Sequence, residues 1–291
     1  MKAFFFSIMQ IAARWIVPPY FWLSRWYMHN RMKFFHRESP NIMVLPLVVI
    51  GEGLNKFKAV FVSEFAEYAL PKYKVFTEDH YSAGGYGYGG LEKLDSAAAR
   101  TRYAAGKSRL THYLDHNKRL LDCNDGDSFL DAGCGDGFNI RELARRFPSS
   151  IIHGFDVNDA ALAIVKMAET HPKLTLRQGT FLDPHFMATF LDLSFDWVLI
   201  SHALAFITGS SIDDTWKVRA KLVQEFARIS RKGVVILDGP PDAGFSVEIE
   251  HKTRCAVKSN YMMLFNDLRN GELYAMQSKV DWAYCWRKSP A

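Results

Sequence analysis

The sequence predicts an α/β protein whose sheet is mostly parallel and covered by helices on both faces. Three observations predict it. Short apolar runs alternate with amphipathic stretches from residue 128 to residue 238, the rhythm of consecutive β-α-β units. The first run leads through an acid into alternate glycines and then a helix, in Phe129-Leu130-Asp131-Ala132-Gly133-Cys134-Gly135-Asp136-Gly137. The second run ends in another acid, Asp156, twenty-three positions beyond Gly133.

Taken in order, 128–130 is a short apolar strand, and Ile140, Leu143, Ala144 and Phe147 then fall on one helical face. A second strand, 151–155, ends at Asp156. Asn158 or Asp159 caps the next helix, 160–170, which Pro172 stops. The third strand is 174–178, followed by Gly179-Thr180-Phe181, and the fourth is 197–200, leading into Ser201-His202. A helix over about 211–230 carries Trp216, Leu222, Val223, Phe226 and Ile229 and is expected to end near Gly233. Strand 234–237 then runs into Asp238. Beyond Gly239-Pro240-Pro241 the rhythm changes: Asn270-Gly271 reads as a hairpin turn and 280–286 as a closing antiparallel strand.

Upstream the chain is less regular. Residues 1–40 form an aromatic and basic segment, with Phe4-Phe5-Phe6, Trp22 and Trp26 beside Arg31, Lys33 and Arg37. Arg14 and Pro18-Pro19 interrupt any span of the ~20 apolar residues that a bilayer crossing needs. A membrane-interface helix and a helix docked on a partner subunit both fit this pattern. Residues 41–94 read as an accessory piece: a hairpin over 41–62, then a Gly/Tyr-rich stretch at 80–90 that is either a lid over a substrate or a linker. Residues 95–121 read as one helix with a basic section. The main domain is expected over 95–291.

Composition narrows the function. Residues 1–40 carry six cations and one acid, which is the whole net charge of +5. The remainder is neutral, which argues against a broad phosphate-binding surface and hence against nucleic acid as a partner. Four cysteines without a C-x-x-C pair or a Cys-His spacing support neither a disulfide framework nor a metal site, so the expected compartment is the cytoplasm, with residues 1–37 allowing a peripheral position on a membrane face.

The glycine pattern decides the ligand class. A dinucleotide fingerprint is G-x-G-x-x-G, which would place its third glycine at Phe138. The spacing here is G-x-G-x-G behind Asp131, and with Asp156 at the next strand end it resembles motif I of the class I S-adenosylmethionine (SAM)-dependent methyltransferases over roughly residues 110–291. That resemblance implies a Rossmann-like seven-stranded sheet with an antiparallel last pair, SAM as cofactor, and methyl transfer to an O or N atom of a small-molecule, lipid or glycan acceptor. RNA or protein methylation, and SAM binding without turnover in an assembly or regulatory subunit, are the alternatives. It further implies that Asp131, Gly133, Cys134, Gly135 and Gly137 lie against the methionine part of SAM. Asp156 with Val157 would hold the ribose, while Gly179, Thr180 and Phe181 would lie near adenine and Ser201 near the acceptor entrance. Thr180 stands where many relatives carry an acid.

The candidate catalytic residues are His202 and Asp238, at strand ends where side chains reach a crevice, and Tyr81 from the glycine-rich stretch. Direct displacement at a sulfonium methyl asks mainly for alignment and water exclusion, and a base only where the acceptor must lose a proton.

Overall fold

The computed structural model describes residues 93–116, 122–238, 246–250, 254–258, 261–277 and 282–289. The expectations for residues 1–92, including the amphipathic segment, the hairpin, the lid and Tyr81, lie outside the described residues.

Nine strands are described: β1 (Ser128–Ala132), β2 (Ile151–Asp156), β3 (Leu174–Gln178), β4 (Phe195–Ser201), β5 (Ser230–Asp238), β6 (Ser246–Glu250), β7 (Arg254–Lys258), β8 (Gly271–Gln277) and β9 (Trp282–Lys288). The helices are α1 (Ser96–Ala105), α2 (Leu110–His116), α3 (Phe138–Arg146), α4 (Asp159–Ala168), α5 (Pro184–Met187) and α6 (Ile212–Ile229). Seven strands form one sheet in the order β3-β2-β1-β4-β5-β9-β8, and β6 pairs with β7 in a separate ribbon. The first five pair in parallel, whereas β9 is antiparallel to both β5 and β8. This is the predicted sheet, closed at one side by an antiparallel pair.

Strand alternation sorts the core into two layers. Phe129, Trp197, Leu199, Val235 and Leu237 face the side covered by α1 to α4, where Tyr103, Leu143 and Val165 pack. Leu130, Val198, Ile200, Val234 and Ile236 face the side of α5, α6 and a 3₁₀ turn at Tyr261–Phe265. By the same alternation Asp131 faces the first layer, and Asp238 the second.

The amino ends of β1, β4 and β5 are tied by Asp196, which accepts from Ser128 N–H and Oγ at 2.9 Å each and from Arg231 at 3.0 Å. Partial burial works to raise this carboxyl, but the Arg231 and Ser128 donors outweigh it and hold it at about 2.

Three expectations need correction, and one ribbon went unpredicted. The helix predicted over 95–121 is two helices, α1 and α2, parted by Gly106 in an extended conformation. A Cβ on Gly106 would lie 2.0 Å from the Phe138 ring, so only glycine lets the chain turn there. Arg141 then caps the end of α1 through the carbonyls of Tyr103, Ala104 and Gly106. α6 ends at Ile229, and Gly233 lies inside β5, where a Cβ would meet the Trp286 carbonyl oxygen at 2.3 Å and the Trp197 ring at 3.0 Å. Its glycine serves close strand packing and not a helix stop. Asn270-Gly271 is not the turn of the last hairpin. Asn270, at φ 61, leads into β8, and the β8–β9 connection falls at 278–281, outside the described residues. Finally, the β6–β7 ribbon was not predicted from the sequence, and the Cα atoms of β7 pass within 8 Å of the 3₁₀ turn Leu204–Phe206 that follows β4.

Among the described residues no helix is long and apolar enough to cross a membrane.

Candidate active site

The carboxyl ends of β1, β2, β4 and β5 meet at one edge of the sheet, and most of the candidate residues collect there. Gly133, Gly135 and Gly137 all have left-handed backbone angles, φ 73, 54 and 80. A residue with a Cβ is strained at such angles, which is why the alternate positions are glycine. The turn is pinned from below by β2: the N–H groups of Gly133 and Cys134 both donate to the Phe155 carbonyl, at 2.9 and 3.0 Å. Gly137 caps α3 without a side-chain bond, so the first N–H groups of that helix point into the turn.

Asp156 braces the same turn. One carboxylate oxygen accepts from Gly135 N–H at 2.8 Å and the other from Asn158 N–H at 2.9 Å. Each oxygen keeps a second lone pair for a ligand hydroxyl. Burial raises this carboxyl above its ordinary value, and the backbone donors at Asn158 and Gly135 oppose the rise.

Asp131 is fully buried, and neither of its oxygens has a hydrogen-bond partner. Burial pushes the carboxyl up to about 7. Asn139 opposes that without reaching hydrogen-bond geometry, and the Asp156 charge adds to it. An orphaned carboxylate under a glycine turn asks for a cation from outside the chain. A ligand that carries an ammonium group and a ribose diol fits the two acids and the glycine cradle, and SAM carries both.

The remaining cofactor candidates surround this turn at different depths. Val157 is half-buried, and its carbonyl accepts from the Gln178 amide at 3.2 Å. Gly179 donates to the Asp156 carbonyl at 3.0 Å, and a Cβ there would strike the Phe186 ring at 2.2 Å. Thr180 spends its hydroxyl on Leu182 N–H at 3.2 Å. Phe181 turns inward, edge-on to Phe155 and Phe226, with its ring 3.5 Å from where a Gly133 Cβ would stand. Cys134 is buried within the turn, and Ser201 pairs in register with Leu237.

His202 and Asp238 come together at the ends of β4 and β5. His202 sits at φ 52, unusual for a residue with a Cβ, and is held there by its N–H donating to the Leu237 carbonyl at 2.9 Å. Its Nδ1 lies 3.8 Å from Asp238 Oδ1; the imidazole is partly exposed and the carboxylate fully buried. The next residue, Ala203, places its Cβ 2.9 Å from the position a Gly133 Cβ would take, so the His202 segment lies directly on the glycine turn.

Other functional groups escaped sequence reasoning. Arg219, 1% exposed, donates to the carbonyls of Ile207 at 2.8 Å and Ala205 at 3.1 Å, holding the turn that follows His202. It falls on the apolar stripe of α6 with Trp216, Leu222 and Phe226, and a cation in such a stripe was the available signal. Arg102 pairs with Asp136 of the glycine turn at 2.8 Å, and Tyr103 donates to Glu169 at 2.7 Å. Among the described residues no group of three or more His, Cys, Asp or Glu side chains is arranged to hold a metal ion.

Residues 130–237 match the family described as a methyltransferase domain. That segment spans the glycine turn, Asp156 and the His202–Asp238 edge, except for Asp238 itself. The match identifies a methyltransferase domain within the chain. Solved structures of similar fold include a SAM-dependent methyltransferase from Methanosarcina mazei, with 16% identity, 61% of this chain and 98% of that one covered, and a TM-score of 0.45. A SAM-dependent methyltransferase from Aquifex aeolicus shares 14% identity over 67% of this chain and 98% of its own, at a TM-score of 0.45. Human N-acetylserotonin methyltransferase, in complex with SAM, shares 13% over 67% of this chain and 57% of its own, at 0.44. No curated protein matches this chain in sequence.

Proposed function

We propose that the enzyme methylates a hydroxyl oxygen of a small-molecule, lipid or glycan acceptor, with His202 as the base. What carries this reading is one juxtaposition: the pair His202–Asp238 adjoins the glycine turn through Ala203 on Gly133. SAM supplies a sulfonium methyl group, open to direct displacement. In this reading Asp131 receives the ammonium of its methionine part, the N–H groups around Gly135 and Gly137 receive its carboxylate, and Asp156 with Val157 holds the ribose. Gly179, Thr180 and Phe181 close the adenine end, and Ser201 flanks the acceptor.

The acceptor oxygen is favoured over nitrogen because the proposed base has a buried carboxylate 3.8 Å from its Nδ1. An amine can attack while neutral, whereas a hydroxyl gains nucleophilicity as it loses its proton. With Nδ1 turned toward Asp238, Nε2 is the nitrogen that takes that proton. The O–H bonding pair stays on oxygen, which becomes the attacking group. The aromatic and basic residues 1–37 supply the means to reach a membrane face or a partner subunit, which fits a lipid or glycan acceptor.

The test is incubation of the purified chain with methyl-labelled SAM and separate lipid, glycan, RNA, protein and small-molecule fractions. Label is expected in a lipid, glycan or small-molecule fraction as an O-methyl product. Label confined to RNA or protein, or an N-methyl product, would overturn the reading.

Asp131 adds a pH dependence. Its folded carboxyl, at about 7, lies above the ordinary 3.8, so the ligand-free protein binds this proton more tightly than the unfolded chain does. The stability it contributes is complete below about pH 4 and is lost as pH rises through 7. SAM needs the ionised form, so its affinity should fall by up to about tenfold per pH unit below 7 and level off above it. Calorimetric titration from pH 5.5 to 8.5 checks this, and Asp131→Asn should bind weakly at every pH with the slope removed.

A further inference from the structure

The row of residues at the carboxyl edge of the sheet does not end at Asp238. β5 lies between β4 and β9. Ser201 pairs with Leu237 and Leu237 with Ala283, so the next row outward is His202, Asp238 and Trp282. The N–H of His202 joins it to β5 through the Leu237 carbonyl at 2.9 Å, and Asp238 and Trp282 are direct cross-strand partners. Residues opposite one another in an antiparallel pair project from the same face, with Cβ atoms about 5 Å apart. Trp282 packs on the layer that Asp238 faces, its ring stacked on Tyr284 at 6.5 Å between centroids and 25° between planes. Tyr284 is fully buried and meets the Tyr261 ring edge-on at 5.7 Å, so the indole rests on a fixed aromatic support. Trp282 itself remains partly exposed, as do Ala203, Phe206 and Ile207 in the turn that follows His202. Beside Ser201, His202 and Asp238, this edge therefore offers an acceptor apolar and aromatic surface.

A flat ring and an imidazole base select the same kind of acceptor. A phenolic hydroxyl, with an acidity near that of tyrosine at about 10, gives its proton to an imidazole roughly three to four powers of ten uphill. An aliphatic hydroxyl, close to water at about 15.7, does so roughly nine powers uphill. We propose that the acceptor is a small aromatic molecule with a phenolic hydroxyl, and that Trp282 binds it by stacking on the ring system whose hydroxyl meets Nε2 of His202. Two strand spacings, about 10 Å, separate His202 from Trp282 along the row, comparable with the length of a fused two-ring phenol. The phenolic proton passes to Nε2, and the O–H pair forms the new O–CH₃ bond as the S–CH₃ bond breaks and its pair stays on sulfur. This rests on the reading of His202 as the base and narrows the acceptor within it. It also adds to the acceptor site a residue from β9, a strand that follows the last residue of the family match.

The test uses the full chain labelled with 5-fluorotryptophan, with the Trp282 fluorine resonance assigned by its loss in Trp282→Phe. With S-adenosylhomocysteine bound, the protein is titrated with 2-naphthol and, separately, with decahydro-2-naphthol, which keeps the carbon skeleton and hydroxyl but has no aromatic ring. The Trp282 resonance should respond to 2-naphthol at a concentration at least tenfold lower than to the saturated alcohol. Methyl-labelled SAM should give the 2-naphthyl methyl ether. In Trp282→Ala the KM for 2-naphthol should rise about tenfold, with kcat within threefold and SAM affinity within twofold of wild type, and Trp282→Phe should recover most of the loss. His202→Gln should instead lower kcat and leave that KM unchanged. A Trp282 resonance that ignores both probes, or answers them equally, would overturn the proposal, as would O-methyl label found only on a non-aromatic lipid or glycan. If the resonance responds to 2-naphthol but no ether forms, the contact stands and the reading of His202 as the base fails.

Discussion

Asp156→Ala should abolish useful SAM binding, raising the dissociation constant at least a hundredfold, which corresponds to about 2.7 kcal/mol. Two losses add here. The carboxylate is the acceptor for Gly135 and Asn158 N–H at 2.8 and 2.9 Å, and both donors lie in buried surroundings. Orphaning a buried donor costs roughly 1–3 kcal/mol, so the glycine turn relaxes even before a ligand arrives. The ribose diol then loses the acid proposed to accept its hydroxyls. Asp156→Asn separates the two, because an amide oxygen can still accept from Gly135 but cannot take two hydroxyls in addition. The alanine variant should also unfold at a temperature about 5 °C lower, while the asparagine variant keeps most of its stability and binds SAM with intermediate affinity. Calorimetry and thermal unfolding of the three proteins check this.

His202→Gln should leave SAM affinity within about twofold of wild type and reduce the rate of methyl transfer between a hundredfold and ten-thousandfold, the usual range for removing a positioned base. Glutamine is close in size and can still hydrogen-bond toward Asp238, so the backbone at φ 52 and its bond to Leu237 are kept. A rate within threefold of wild type at neutral pH would remove His202 from the chemistry and favour an acceptor that needs no base. Saturating SAM in single-turnover experiments separates the chemical step from binding.

The sequence carried most of the sheet because parallel strands buried on both faces are short apolar runs, and the run at 197–200 is the fully buried stretch of β4. The acids Asp131, Asp156 and Asp238 were legible for a related reason. Each ends or interrupts an apolar run, where a charge has no packing role. Boundaries failed where local composition pointed one way and tertiary packing another. Ser230-Arg231-Lys232-Gly233 looks like a helix terminus, yet these residues pair with β4, since Asp196 draws Arg231 into the sheet. Gly106 was hidden in a helical pattern because the reason for a break there, the Phe138 ring, lies thirty-two residues away. Arg219 left a weak trace for the same reason: a cation in an apolar stripe becomes informative only once the carbonyls of Ala205 and Ile207 are known to lie opposite.

The measurement closest to the central claim is equilibrium binding of methyl-labelled SAM to the purified chain at pH 8. Saturable binding of one equivalent is expected, displaced by S-adenosylhomocysteine, unaffected by NAD and lost in Asp156→Ala. Absence of saturable binding, or displacement by NAD in place of S-adenosylhomocysteine, would contradict it.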